Sequence, residues 1–422
     1  MIERKLESEL EAHLGAKEIS LIVGPRQAGK TTLMKFLEGK LKVRGERTVF
    51  FNLDIEGDRR HFSSQEEFLE KVRLEIGNQK GYVFIDEIQR KENAGLFLKG
   101  LYDRGLPYKF VVSGSGSLEL KEKIKESLVG RKRIFELDTI TFEEFVNFKT
   151  DYKYRDKLDD FFKVERNKTM YLLKEYLSYG GYPRIVLSET HNEKLSVIEE
   201  IFSSYIDKDI KEFIRSRRVN VYADLVRLMS VRLGSLTNLS ELSSILGVSL
   251  PTLKSYLWYA EKTFIIRKVS PFYKNRTKEL TRSPIYYFVD IGLRNFGTGK
   301  FGRLIHPEDL AMPFQNLVFN ILREKIKRSG AQIHFWRTKD GAEVDFVLLT
   351  GEGVVPVEVK VQEFKKPKVT RSLRIFIKKY NPSRALVVSL TSIKPITVHN
   401  TQVFFISVFD LLGFSPDQLL YG

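Results

Sequence analysis

The sequence predicts an α/β protein whose N-terminal part forms a parallel sheet covered by helices on both faces. Two observations carry this. Apolar strand-like runs alternate with stretches of helical spacing, as EISLIVG, KTTLMKFLEGKL, TVFFNLD, YVFIDEI and KFVVSGS, with a polar helix starting near Ser64. A glycine-containing turn also stands between the first strand and the helix after it. At 422 residues the chain exceeds what one core accommodates, so further domains follow.

Those domains differ in pattern. From about 141 to 230 the apolar spacing is three and four, as in TFEEFVNF, MYLLKEYLSY and VIEEIFSSYIDKDIKEFI, which predicts helices. From Leu236 two short helices flank a turn at Gly247, and two strands, FIIRKVSPFY and IYYFVD, follow. The remainder opens with the helix FQNLVFNILREKIKR and continues as strands IHFWRT, EVDFVLLT, VVPVEVKV and ALVVSL, with a basic helix before the last. The expected division is 1–150, 151–230, 231–292 and 293–422.

Composition narrows the chemistry. With 42% hydrophobic and 29% charged residues the chain is globular material, too apolar for disorder. It has no cysteine, which excludes disulfides, thiolate zinc sites and cysteine nucleophiles. No stretch is long and apolar enough to span a bilayer and the first residues are too charged for a secretory signal, so a cytoplasmic protein without membrane contact is expected. The net charge of +16 is uneven: residues 1–150 carry 27 Lys and Arg against 25 Asp and Glu, whereas the rest carries 43 against 29. A basic surface concentrates polyanions, which makes nucleic acid, DNA before RNA, the partner to consider; a solvated lysine-rich surface is the competing reading.

The turn reads Gly24-Pro25-Arg26-Gln27-Ala28-Gly29-Lys30-Thr31-Thr32, the pattern G-x-x-x-x-G-K-[ST] in its proper strand-to-helix context. Gly24 and Gly29 permit backbone shapes that converge amide N–H groups on phosphate oxygens, and the helix adds its positive end. Lys30 would contact the β and γ phosphates of ATP, and Thr31 would ligate Mg²⁺. In YVFIDEI, Asp86 and Glu87 end an apolar strand, where open α/β sheets collect ligand groups. Asp86 would hold Mg²⁺ through water and Glu87 would orient or deprotonate the attacking water, so hydrolysis is the expected reaction. Ser113 and Ser115, at the end of the next strand, are candidates to sense the γ-phosphate, Ser115 above all; a plain Ser-Gly turn explains them equally well. Arg131 and Arg133 could bring charge to a γ-phosphate, that of a neighbouring subunit included, with Arg131 the leading candidate; a solvated basic loop is the alternative.

Two further arrangements stand downstream. In the helix-turn-helix, Leu239, Leu242, Ile245 and Leu246, with Leu253, Leu257 and Ala260, are expected in the core, leaving Thr252, Lys254 and Ser255 to face outward and Lys274, Asn275, Arg276 and Lys278 to form a wing. Such modules serve DNA or protein partners equally well. In the last part, Asp345, Glu358 and Lys360 stand on strands, with Glu358 and Lys360 on one face. An Asp and a Glu at strand ends can grip a divalent metal while the Lys orients or activates water for phosphodiester cleavage.

With GPRQAGKTTL, YVFIDEIQ, FVVSGSGSLE, GRKRIFEL, SYGGYPRIV, YLWYAEKTFIIRKVSPFYKN, YYFVDIGLRN, EVDFVL and PVEVK in order, the chain resembles the AAA-type P-loop ATPases of archaea and bacteria whose ATPase domain precedes the domain of unknown function numbered 4143. The resemblance implies an AAA-like ATPase core at 1–150 binding nucleotide through Gly29, Lys30 and Thr31, acidic roles for Asp86 and Glu87, a helical lid, a winged helix and a restriction-endonuclease-like terminal domain. AAA-type relatives often assemble, so a homo-oligomer is compatible with it. One departure stands out: such proteins typically carry a Glu before the Asn that opens the terminal domain, and here Gln315 precedes Asn316. A neutral amide is a poor ligand for a hard cation, so weak or absent cleavage is expected. The expectation is an ATPase coupled to a basic region acting on nucleic acid. Its alternatives are a nucleotide-gated regulatory module with little turnover and an active metal-dependent nuclease.

Overall fold

Continuous apolar strands cannot face water, and the first sheet obeys this. β1 (Ile19–Gly24) and β3 (Gly81–Asp86) are buried at every position. The computed structural model describes residues 2–115, 128–206, 219–273, 283–304 and 306–421. They fall into two compact units, one of Met1–Phe148, Gly181–Val219 and Leu257–Ile265, the other of Lys149–Gly180, Asn220–Tyr256 and Ile266–Gly422.

In the first unit β1 and β3 are joined by β2 (Thr48–Asn52), β4 (Tyr108–Ser115) and β5 (Lys132–Glu136) in the order β2-β3-β4-β1-β5, every pairing parallel. The helix Lys30–Val43 lays Leu33, Leu37 and Leu41 on one face, where they pack with Met34, Ile22, Phe84, Val111 and Phe135. The helix Leu6–His13, which the sequence reading did not anticipate, adds Leu6 and Leu10 to this core. Truncating a buried phenylalanine such as Phe84 to alanine costs about 3–5 kcal/mol. The polar helix starts as its sequence suggests: Ser64 caps it by accepting from the Glu67 N–H, and it runs Gln65–Ile76. Because all five strands point the same way, the turns after β1 and β3 open on one edge of the sheet.

The second unit holds a mixed eight-stranded sheet. Its strands are β6 (Ile266–Pro271), β7 (Ile285–Phe288), β8 (Gln332–Arg337), β9 (Glu343–Leu349), β10 (Val354–Val359), β11 (Arg384–Ser389), β12 (Ile393–Val398) and β13 (Thr401–Ser407), in the order β12-β13-β11-β10-β9-β8-β6-β7. β6 pairs antiparallel with β7 and parallel with β8, so the hairpin after the two short helices belongs to the same sheet as the last strands. The β12–β13 hairpin was not foreseen. The helix Arg371–Tyr380 packs Leu373, Phe376 and Ile377 with Trp336, Val387 and Phe405.

Of the two short helices, Leu239–Ile245 is capped by Asn238, and the other spans Leu250–Lys262. Leu242, Leu253, Leu257 and Ala260 are buried as expected. Ile245 is not: it is 56% exposed, and Leu239 and Leu246 are half-buried. At about 100° per residue, Leu239, Leu242 and Leu246 share one side of the helix while Ile245 lies off it. Lys254 and Ser255 face solvent, whereas Thr252 bonds Ser249. The expected wing, Lys274 to Lys278, lies outside the described residues. No helix among the described residues is long and apolar enough to cross a membrane.

Candidate nucleotide site and a second polar centre

The two glycines of the loop are required for different reasons. Gly29 caps the helix at φ 94°, a left-handed conformation that costs little only for glycine. Gly24 has no positive φ; a Cβ there would sit 2.0 Å from the Leu137 carbonyl oxygen, so the backbone just after β5 approaches too closely for any side chain. Between them Gln27 is also left-handed, at φ 56°. The Lys30 side chain is buried and curls over the loop, donating to the carbonyls of Gly24 (3.1 Å) and Pro25 (2.7 Å).

Thr31, in the first turn of the helix, donates its hydroxyl to Asp86 Oδ2 at 2.6 Å. Asp86 is 1% exposed, and its other oxygen accepts from the Ser113 hydroxyl of β4. The Ser113 Oγ also accepts from the Glu87 N–H at 3.2 Å. Glu87 is left-handed, at φ 56°, which turns it away from the strand direction, and its carboxylate accepts from the Gln89 amide. Ser113 therefore stands at the acid pair. Ser115 pairs its backbone with Gly24, and its side chain lies outside the described residues.

Arg26, Gln27, Ala28, Gly29, Lys30, Thr31 and Thr32 line a cavity of about 700 Å³, together with Glu87, Asp54 and Arg90. Two cations that sequence reasoning missed belong to it. Arg4 is buried and donates to the carbonyls of Ala28 (2.8 Å), Asp138 (2.6 Å) and Thr139 (3.2 Å) and to Glu144 (3.3 Å), which ties the loop to the segment that follows β5. Arg184, just after Pro183 in the SYGGYPRIV segment, pairs with Glu200 at 2.7 Å and reaches Gln27 at 3.2 Å. A lone Arg near the N-terminus carries no local signal. The Gly-Gly-Tyr-Pro run before Arg184 is the only one there was.

Arg131 lies away from this chain's own loop. Its carbonyl accepts from Ile19 at the start of β1, while the loop follows the end of that six-residue strand. At about 3.3 Å per residue the two are roughly 17 Å apart on opposite edges of the sheet. The guanidinium is held there by Asp103 at 2.6 Å.

In the second unit Asp345, Glu358 and Lys360 stand near one another. Asp345 on β9 and Glu358 on β10 are on neighbouring antiparallel strands. Asp345 accepts from Gln315 Nε2 (2.9 Å) and from the Val359 N–H (2.7 Å). Glu358 pairs with Lys360 (3.0 Å) and accepts from the Thr370 hydroxyl (2.7 Å). Burial, opposed by the Val359 N–H and the Lys360 ammonium, pushes the Asp345 carboxyl up to about 7. Lys360 lies above its usual value: burial works against its charge, but the Glu358 and Asp345 carboxylates outweigh it. Burial likewise raises the Tyr287 phenol, whose oxygen also bonds Gln315. Among the described residues no group of three or more His, Cys, Asp and Glu gathers to hold a metal ion.

Three family models match the chain: AAA domain over residues 16–146, a domain of unknown function (DUF8612) over 170–303 and a domain of unknown function (DUF4143) over 312–408. Among curated proteins the chain is 25% identical to an uncharacterized protein of Methanocaldococcus jannaschii, covering 83% of this chain and 76% of that one. It is 25% identical to an uncharacterized protein of Mycobacterium tuberculosis, covering 89% and 77%. Among solved structures, the Aeropyrum pernix ORC1 protein in complex with DNA aligns at 12% identity and TM-score 0.30, covering 72% of this chain and 95% of that one. The replication initiator DnaA bound to AMPPCP and single-stranded DNA aligns at 16% and 0.31, covering 62% and 90%.

Proposed function

Because the chain joins an AAA-type P-loop domain to a C-terminal DUF4143 domain, we propose that it binds ATP in the cavity at the loop and hydrolyses it. The observation that carries this reading is the 2.6 Å bond from Thr31 to the buried Asp86, made beside an ammonium that already sits over the loop. Phosphate oxygens would replace the two carbonyls as partners of Lys30, and the amide groups at the helix start would take the rest. The hydroxyl and carboxylate of Thr31 and Asp86 are the hard oxygen donors that suit Mg²⁺, which would neutralise charge on the β and γ phosphates. Glu87 would orient a water on the terminal phosphorus and take its proton as the bond to ADP breaks. A Lys30→Ala variant should lose ATP hydrolysis at least a hundredfold; a rate equal to wild type would sink the reading.

One observation favours a second reading. The Glu87 carboxylate is occupied by Gln89, an arrangement in which ATP acts as a conformational ligand with little turnover. Tight ATP binding with almost no phosphate released in a single turnover, nucleic acid present, would select it.

We further propose that the second unit works on nucleic acid, DNA before RNA. Support comes from the charge excess of residues 151–422 and from the exposed Lys254 and Ser255 on a helix followed by the β6–β7 hairpin, a winged-helix order. The centre of Asp345, Glu358 and Lys360 presents Gln315 where a third carboxylate would serve a cation. It should leave DNA uncut in Mg²⁺ or Mn²⁺.

A further inference from the structure

We propose that the loop and helix from Lys365 to Lys378 form a ridge that binds the phosphate backbone of a nucleic-acid duplex beside the Asp345 centre. This rests on the reading of the second unit as acting on nucleic acid and says where that contact is made. Lys365, Lys366, Lys368, Arg371, Arg374 and Lys378 are all exposed, and none has an acidic partner among the described residues. Between 361 and 380 the single acid is Glu363, already paired with Arg166 at 2.6 Å. Some exposed cations elsewhere do have a local acid, as Arg227 has Asp224. Here six like charges repel one another with nothing to offset them.

Position on the helix adds to this. Arg371, Arg374 and Lys378 recur at three and four residues and share its outer face. Arg371 sits in the first turn, which carries no acid and where a cation opposes the helix dipole. An anion laid along this face reverses both penalties. Thr370 caps the helix, bonding the Leu373 N–H at 3.2 Å, and donates its hydroxyl to Glu358 at 2.7 Å, so the ridge begins at the polar centre itself. The geometry disfavours a lipid surface, because Leu373, Phe376 and Ile377 are already buried in the core and cannot insert.

The test is fluorescence anisotropy of the full chain with a labelled 20-base-pair DNA duplex across a salt series. Each phosphate contact adds about 0.9 to the slope of log affinity on log salt. The variant carrying Arg371→Gln, Arg374→Gln and Lys378→Gln should therefore lower that slope by about 2.7 and weaken binding on the order of a hundredfold near 0.1 M salt. A loop variant with Lys365→Gln, Lys366→Gln and Lys368→Gln should act in the same direction, and ATP binding should be unchanged in both. If wild type binds the duplex and both variants match it in slope, the ridge is wrong while the nucleic-acid reading stands. No binding of wild type to duplex or single strand overturns both. Binding to phosphatidylserine vesicles or polyglutamate that is lost in the variants, with the duplex unaffected, also overturns the proposal.

Discussion

The hydroxyl of Thr31, on the helix that follows β1, and the carboxylate of Asp86, at the end of β3, meet at 2.6 Å although β1 and β3 are not neighbours. β4 lies between β1 and β3, and it contributes Ser113, whose hydroxyl donates to the second oxygen of Asp86. The acid is thus fixed from two sides before any ligand arrives, and the serine that fixes it also accepts from the N–H of Glu87.

Ser113 is therefore expected to position both acids. Ser113→Ala leaves the Glu87 N–H and one Asp86 oxygen without this partner, which should cost about 1–2 kcal/mol of stability. ATP turnover should fall about tenfold or more with a smaller change in ATP affinity. Steady-state kinetics beside calorimetric binding checks the split, and an equal fall in both would make Ser113 a binding residue instead.

Gly24→Ala and Gly29→Ala should fail differently. The first forces a Cβ to within 2.0 Å of the Leu137 carbonyl and must push away the backbone just after β5, so it should cost more than about 3 kcal/mol in chemical denaturation. The second meets nothing closer than 3.7 Å and strains only φ, for about 1–2 kcal/mol. Its larger effect should be on ATP affinity.

Arg4→Met removes a buried cation that serves three carbonyls and Glu144, whose side chain is 6% exposed. Breaking one side of a buried pair costs about 3–5 kcal/mol, and the charge left on Glu144 is the reason. Paired replacement with Glu144→Gln should recover part of the loss in urea titrations. No recovery would show that the carbonyl contacts, not the ion pair, dominate.

Asp345 sets a pH dependence. Its folded value of about 7 lies above its ordinary value of 3.8, so its contribution is fully present below about pH 4 and is lost as pH rises through 7. Asp345→Asn removes the buried charge and should stabilise the chain more at pH 8 than at pH 5. Thermal unfolding at the two pH values reads the difference; a gain confined to pH 5 would reverse the sign and refute the assignment.

The element types along the first sheet, the phosphate loop and the acid pair were legible in the sequence, because strand burial and loop chemistry are local. YVFIDEI is apolar up to its acids since both faces of β3 are covered, and the spacing from Gly24 to Thr31 is dictated by a loop that turns directly into a helix. Tertiary structure alone decided which distant residues join them. Strand order put Ser113 between the two halves of the site, brought Arg4 beneath the loop and Arg184 beside Gln27, and carried Arg131 to the far edge. Likewise, only the pairing of β9 with β10 and the packing of Gln315 on Asp345 show that an amide occupies that carboxylate. Contacts between residues far apart in the chain depend on strand order and packing, which no local pattern of residues encodes.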